Sequence, residues 1–187
     1  HEYLKQAETA LSAAMGDLPT DEQLAQRQTL LLSLYESARR ISDLTQARAY
    51  AEKLFDLAPS PTEQSRWLGL AADCALAEGK NEEARALLEK VLERNPADLS
   101  AVSRLSPLLP DEEAGQRLFG MLEQIPPATD PEIQSQLLGL YEHVAKVYGR
   151  LDQREQAATS YERALGIGTQ LGKSVETRLR RATLEIL

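Results

Sequence analysis

One recurrence constrains this chain of 187 residues more than anything else in it. An alanine is followed twelve residues later by a proline, four times over: Ala7 and Pro19, Ala47 and Pro59, Ala84 and Pro96, Ala114 and Pro126. A fifth alanine, Ala157, keeps the spacing but has Thr169 in the proline's place. Apolar residues fall four and seven positions after each alanine: Leu11 and Ala14, Ala51 and Leu54, Leu88 and Val91, Leu118 and Met121, Tyr161 and Ala164. That spacing is one face of a helix. The proline lacks an N–H and clashes with the preceding turn, so it ends the helix and redirects the chain. The alanine is the small residue needed where two helices come close. Self-similarity over a few tens of residues predicts stacked supersecondary units. Successive alanines lie 40, 37, 30 and 43 residues apart, so the units are expected to be irregular.

Between these helices the sequence predicts others. Thr20 and Gln23 form a capping-box pattern ahead of 21–41, and Ser60, Pro61 and Glu63 give the start signals of 61–78. Gly79 is placed to close that helix with a left-handed cap. Asp130-Pro131 opens 131–150, and Asp152 with Glu155 is expected to box the helix after it. A segment near 98–109 contains Pro107 and reads as a truncated helix. A helix over 2–15 and another near 173–187 complete the pattern. The connections are short, so neighbouring helices are expected to be antiparallel.

Composition agrees and excludes other classes. Leu and Ala supply most of the apolar content and aromatics only 5%, a mixture that favours helix over strand. Lys and Arg number 21 against 29 Asp and Glu, a net charge of −8, which argues against nucleic acid as a partner. No apolar run approaches the roughly 18 residues of a membrane span, so no direct membrane insertion by this segment is expected. The single cysteine, Cys74, permits no disulfide within the chain and no cysteine-based zinc site.

Catalytic constellations are not expected, and no cofactor or metal either. His143 has no second imidazole or cysteine placed to join it. Cys74 lies among Ala71, Ala72 and Ala75 and reads as a packed thiol. The glycines of 166–172 suggest a dinucleotide loop only faintly; no strand precedes them, and they read as a loop between helices. Asp111-Glu112-Glu113 is an ordinary first-turn complement to the helix dipole. Arg178, Arg180 and Arg181 read as a solvated basic face.

Segment 65–98, with Trp67, Leu68, Ala71, Ala72, Ala75, Gly79, Ala84, Leu88, Val91, Asn95 and Pro96, resembles a tetratricopeptide repeat of 34 residues. Segment 138–171, with Tyr141, Val144, Ala145, Tyr148, Asp152, Ala157, Tyr161 and Ala164, is similar to a second. The resemblance implies an all-α fold, an α-solenoid of antiparallel helix pairs in a right-handed superhelix. It divides the single array into a lone second helix at 1–19, repeats at 20–60, 61–97, 98–127 and 130–169, and a final helix at 173–187. Beginning and ending mid-repeat, the array is expected to be a piece of a longer chain with further repeats at both ends.

The resemblance also implies a non-catalytic scaffold that holds another protein or peptide in a concave groove lined by first helices. The matching positions are Leu32, Glu36, Arg39 and Arg40 in 21–41. In 61–78 they are Arg66, Gly69, Leu70, Asp73, Leu76 and Ala77, and in 131–150 they are Glu142, His143, Lys146 and Arg150. Relatives that clamp a terminal carboxylate use Lys and Asn where this chain has Leu32 and Glu36, so that clamp is absent. Arg outnumbers Lys 15 to 6, a composition similar to that of GC-rich bacterial chains. Irregular arrays of this kind resemble the periplasmic scaffolds of exopolysaccharide export machines, which recruit polymer-modifying enzymes. The stretch from Tyr161 to Lys173 also resembles repeats of cytoplasmic bacterial regulators, which keeps a transcriptional or signalling module as the alternative.

Overall fold

A computed structural model describes residues 2–14, 20–172 and 178. Pro19, Arg180 and Arg181, and the final helix expected near 173–187 apart from Arg178, lie outside the described residues. The described chain is all-α, built as an α-solenoid of antiparallel helix pairs, with no strand among the described residues. Among the described residues nine α-helices follow in order: α1 (Glu2–Ala14), α2 (Asp21–Arg40), α3 (Leu44–Leu57), α4 (Pro61–Ala77), α5 (Asn81–Arg94), α6 (Leu99–Leu105), α7 (Asp111–Leu122), α8 (Pro131–Arg150) and α9 (Arg154–Leu171).

The chain divides into two compact units, His1–Arg94 and Asn95–Leu187. In the first, α3 packs on both α2 and α4, α5 packs on α4, and α1 on α2. In the second, α8 packs on α7 and, most extensively, on α9. α6 is cut to seven residues and passes into a single 3-10 turn at Ser106–Leu108, where Pro107 removes an amide donor.

The alanine register marks the cores. Ala47, Ala84 and Ala157 have no exposed surface and Ala114 has 1%, whereas Ala7 is half-buried. The proline register marks the ends: α3 and α5 stop two residues before Pro59 and Pro96, and α7 stops four before Pro126.

Caps position the helix starts. Thr20 and Gln23 complete a reciprocal capping box, the Thr20 hydroxyl accepting from the Gln23 amide at 3.2 Å. The Ser60 hydroxyl accepts from the Glu63 amide ahead of Pro61. Asp130 accepts from the amides of both Glu132 and Ile133.

A corner device recurs three times. Ser42, Gly79 and Asp152 adopt positive φ of 59°, 74° and 54°, each five residues before a signature alanine. The amides of Asp43, Lys80 and Gln153 then reach back to the carbonyls of Ala38, Ala75 and Tyr148, all at 2.9 Å. This is the Schellman closure, which satisfies the last carbonyls of each first helix and turns the chain into the second.

Two expectations are corrected. Asp152 does not box α9: it is the left-handed corner residue, and the N-cap is Gln153, which makes no side-chain cap bond. Residues 166–171 are not a loop. Without a proline at Thr169, α9 runs on to Leu171, the Thr169 hydroxyl bonding back to the Gly166 carbonyl at 3.0 Å. Gly172, at φ 126°, ends the helix instead.

Candidate functional site

In the first unit, the proposed partner-facing positions lie on α2 and α4. Glu36, Arg39, Arg40 and Arg66 are exposed, Leu32 is 40% exposed, and Leu70, Asp73 and Leu76 are half-buried. An aromatic pair joins the two helices: Tyr35 and Trp67 meet edge to face with centroids 5.7 Å apart. A cation meets each aromatic side chain. Arg39 donates to the Tyr35 hydroxyl at 3.3 Å, and the Arg66 guanidinium lies 5.7 Å from the Trp67 centroid. The face therefore combines accessible leucines, Leu32, Leu70 and Leu76, with one guanidinium bonded to the Tyr35 hydroxyl and another over the Trp67 ring.

Cys74 is 1% exposed beside this face. Burial pushes its thiol up, which favours the neutral form; an activated cysteine needs the reverse.

In the second unit the corresponding residues are on α8, and two of the four are committed to partners. Glu142 accepts from both terminal nitrogens of Arg178, at 3.0 and 2.8 Å. Arg178, read from sequence as part of a solvated basic face, thus has a specific carboxylate partner. Arg150 holds Asp111 bidentately, both bonds at 2.6 Å, and that hydrogen bonding pulls the Asp111 carboxyl below its usual range. Asp111 is a first-turn acid as expected, and it also clips α7 to α8. His143 is half-buried; burial, then the charge of Arg150, pushes its imidazole down, so it is neutral at pH 7. Lys146 is exposed. Among the described residues no three His, Cys, Asp or Glu side chains converge to hold a metal, and no helix is long and apolar enough to cross a membrane.

The second unit also contains a cleft of 370 Å³ that sequence reasoning did not find. The α7–α8 loop forms one wall with Ile125, Pro126 and Pro127, α9 forms the other, and Leu137 and Tyr141 lie between. Each end is cross-linked. At one end the Glu123 carboxylate accepts from the Tyr141 hydroxyl and from Arg163, both at 2.9 Å. Burial, then this carboxylate, pushes the Tyr141 hydroxyl far up, so it remains a donor. At the other end the Gln134 amide donates to the Ala128 carbonyl at 2.8 Å and to the Gln170 side chain at 2.7 Å. The only signal in the sequence was the 43-residue interval between Ala114 and Ala157, the longest of the set, which contains this loop.

Comparison with known proteins fits the helix-pair register. A family model described as Tetratricopeptide repeat matches residues 42–106, and a second of the same description matches 138–167, together just over half of the chain. No curated protein matches the sequence. Among solved structures, the chain is similar to the crystal structure of MamA protein, with TM-score 0.56 and 15% identity over 85% of this chain and 87% of that one. It is also similar to BtubC (BKLC) from P. vanneervenii, with TM-score 0.55 and 12% identity over 99% of this chain and 80% of that one. At these identities the likeness is one of fold.

Proposed function

Because the chain belongs to the tetratricopeptide-repeat family, we propose that it is a scaffold that holds a protein partner on the exposed faces of its first helices. Repeats of this family are generally non-catalytic modules that bind proteins or peptides. The observation that carries the reading to particular residues is the face of α2 and α4. There, exposed or half-buried leucines stand beside two guanidiniums, one hydrogen-bonded to the Tyr35 hydroxyl and one over the Trp67 ring. Apolar strips edged by charge suit an extended peptide or a helix laid along them. On α8 the same role falls to Lys146 and His143, since Arg150 and Glu142 are engaged by Asp111 and Arg178.

The partner class follows from the sequence resemblance and composition. We propose recruitment of a polysaccharide-modifying enzyme in bacterial exopolysaccharide export, with the array in the periplasm. A module of a cytoplasmic transcriptional or signalling regulator is the second reading, supported by the resemblance of the stretch from Tyr161 to Lys173.

Charge reversal tests the face. Arg40→Glu and Lys146→Glu alter exposed cations outside the ion pairs described above, so folding is expected to be unchanged. Lys90→Glu, on α5, is the control. In affinity capture from the source organism, both first-helix variants are expected to lose the main partner and the α5 variant to keep it. Equal capture by all three overturns the assignment. A captured polysaccharide-modifying enzyme supports export; a captured sigma factor or sensor supports the regulator.

A further inference from the structure

We infer that the cleft between the α7–α8 loop and α9 is a second binding site, which takes one bulky apolar side chain of a short partner peptide carrying a basic residue beside it. The cleft is pre-formed. The two polar cross-links tie the loop to α8 and α9 at either end, so no ordering of the loop is needed on binding. Along α9 the opening runs from Glu162 to Gln170, a rise of about 12 Å along the helix. Its 370 Å³ is near the small end of ligand sites, room for one large side chain and its backbone rather than a long segment.

The lining sets the chemistry. Ile125, Pro126, Leu137 and Ile167 make the middle apolar, while the polar groups stand at the ends. Arg163 is already committed to Glu123. That leaves Glu162, exposed at the rim and with no ion pair among the described residues, to meet a cation on the incoming chain. The chain's net charge of −8 likewise favours the approach of a positively charged partner. Gly166 stands at the mouth with open space beside it. A glycine inside a helix costs about 1 kcal/mol relative to alanine, and a Cβ built there meets nothing within 4 Å.

The open space at Gly166 supplies the test. The probes are three fluorescein-tagged hexapeptides of Gly and Ser with a central Phe-Lys, Ala-Lys or Phe-Glu pair, titrated into the full chain by fluorescence anisotropy. The Phe-Lys peptide is expected to bind saturably, and the other two at least about fivefold more weakly. Gly166→Leu is expected to weaken the Phe-Lys peptide by at least about tenfold, a change of roughly 1.4 kcal/mol. Gly139→Leu fills an equally open, exposed helical glycine away from the cleft and is expected to bind as wild type. Glu162→Lys, at the exposed rim, is expected to weaken the Phe-Lys peptide and strengthen the Phe-Glu peptide. Arg40→Glu is expected to change nothing here, which separates this site from the first-helix face. The inference is overturned if no peptide saturates, if Ala-Lys binds as well as Phe-Lys, or if the two glycine variants behave alike. It is overturned also if Gly166→Leu abolishes a concentration-dependent dimer instead, which would make the occupant a second copy of this chain.

Discussion

Ala84→Leu and Ala157→Leu are expected to lower the thermal midpoint more than any substitution on an exposed face. Both alanines have no exposed surface and sit on second helices packed against their first-helix partners, α5 on α4 and α9 on α8. Adding an isopropyl group to such a site forces the helices apart or strains the side chain, which typically costs about 1–3 kcal/mol. Both positions are wholly buried and so fall at the upper end. In a chain of this size each kcal/mol moves the midpoint by about 2–4 °C, so a fall of roughly 5–10 °C is expected in calorimetry. Stability in stacked repeats is carried by nearest-neighbour interfaces, so the loss should localise to the altered pair in hydrogen exchange. Midpoints equal to wild type for both variants would show that the alanine register does not mark the helix contacts.

Gly115→Leu is expected to destabilise by a similar amount, about 2–3 kcal/mol. Gly115 is buried in α7, and a Cβ placed on it would lie 2.7 Å from the Tyr148 ring, itself buried on α8. Helix propensity alone would make the change favourable by almost 1 kcal/mol. The overlap outweighs it, because the nearest three atoms, at 2.7–3.1 Å, all belong to the rigid ring of buried Tyr148, which must shift to admit even a Cβ. Gly120, five residues on in the same helix, is exposed and has nothing within 4 Å of its Cβ. Gly120→Leu is therefore expected to raise the midpoint slightly. Chemical denaturation of the pair reads the sign directly: opposite shifts agree with the close approach, and a stabilised Gly115→Leu would refute it.

These two contrasts also show what a sequence can and cannot display. The repeat was legible because its determinants are local and repeated. Ala47, Ala84 and Ala157 need a small side chain at one helical register, and Pro59, Pro96 and Pro126 end helices by their own chemistry. Start signals at Thr20, Ser60 and Asp130 act within three residues and appear in the structure where the sequence places them. Asp152 misled because Asp suits both an N-cap and a left-handed corner. The corner prevails since Tyr148 and Gly149 carbonyls at the end of α8 need donors. Glycines near 166 misled in the opposite way: they look like a break, but a helix tolerates glycine where no proline stops it.

The polar constellations of the second unit were not legible. Asp111 and Arg150 are 39 residues apart, Glu123 and Arg163 are 40, and Gln134 and Gln170 are 36. No local pattern pairs them; only the packing of α7, α8 and α9 does. The consequence for function is concrete. Of the α8 residues placed on the partner-facing side, Arg150 and Glu142 are already spent on internal pairs, and Lys146 is the cation left to recruit.

The claim that the first helices hold the partner is tested most directly by hydrogen–deuterium exchange on the intact chain with and without its captured partner. The amides of α2, α4 and α8 are expected to gain protection on binding, strongest around Arg39, Leu70 and Lys146, while α3 and α5 exchange as before. Protection confined to α3 and α5, with α2, α4 and α8 unchanged, would contradict it.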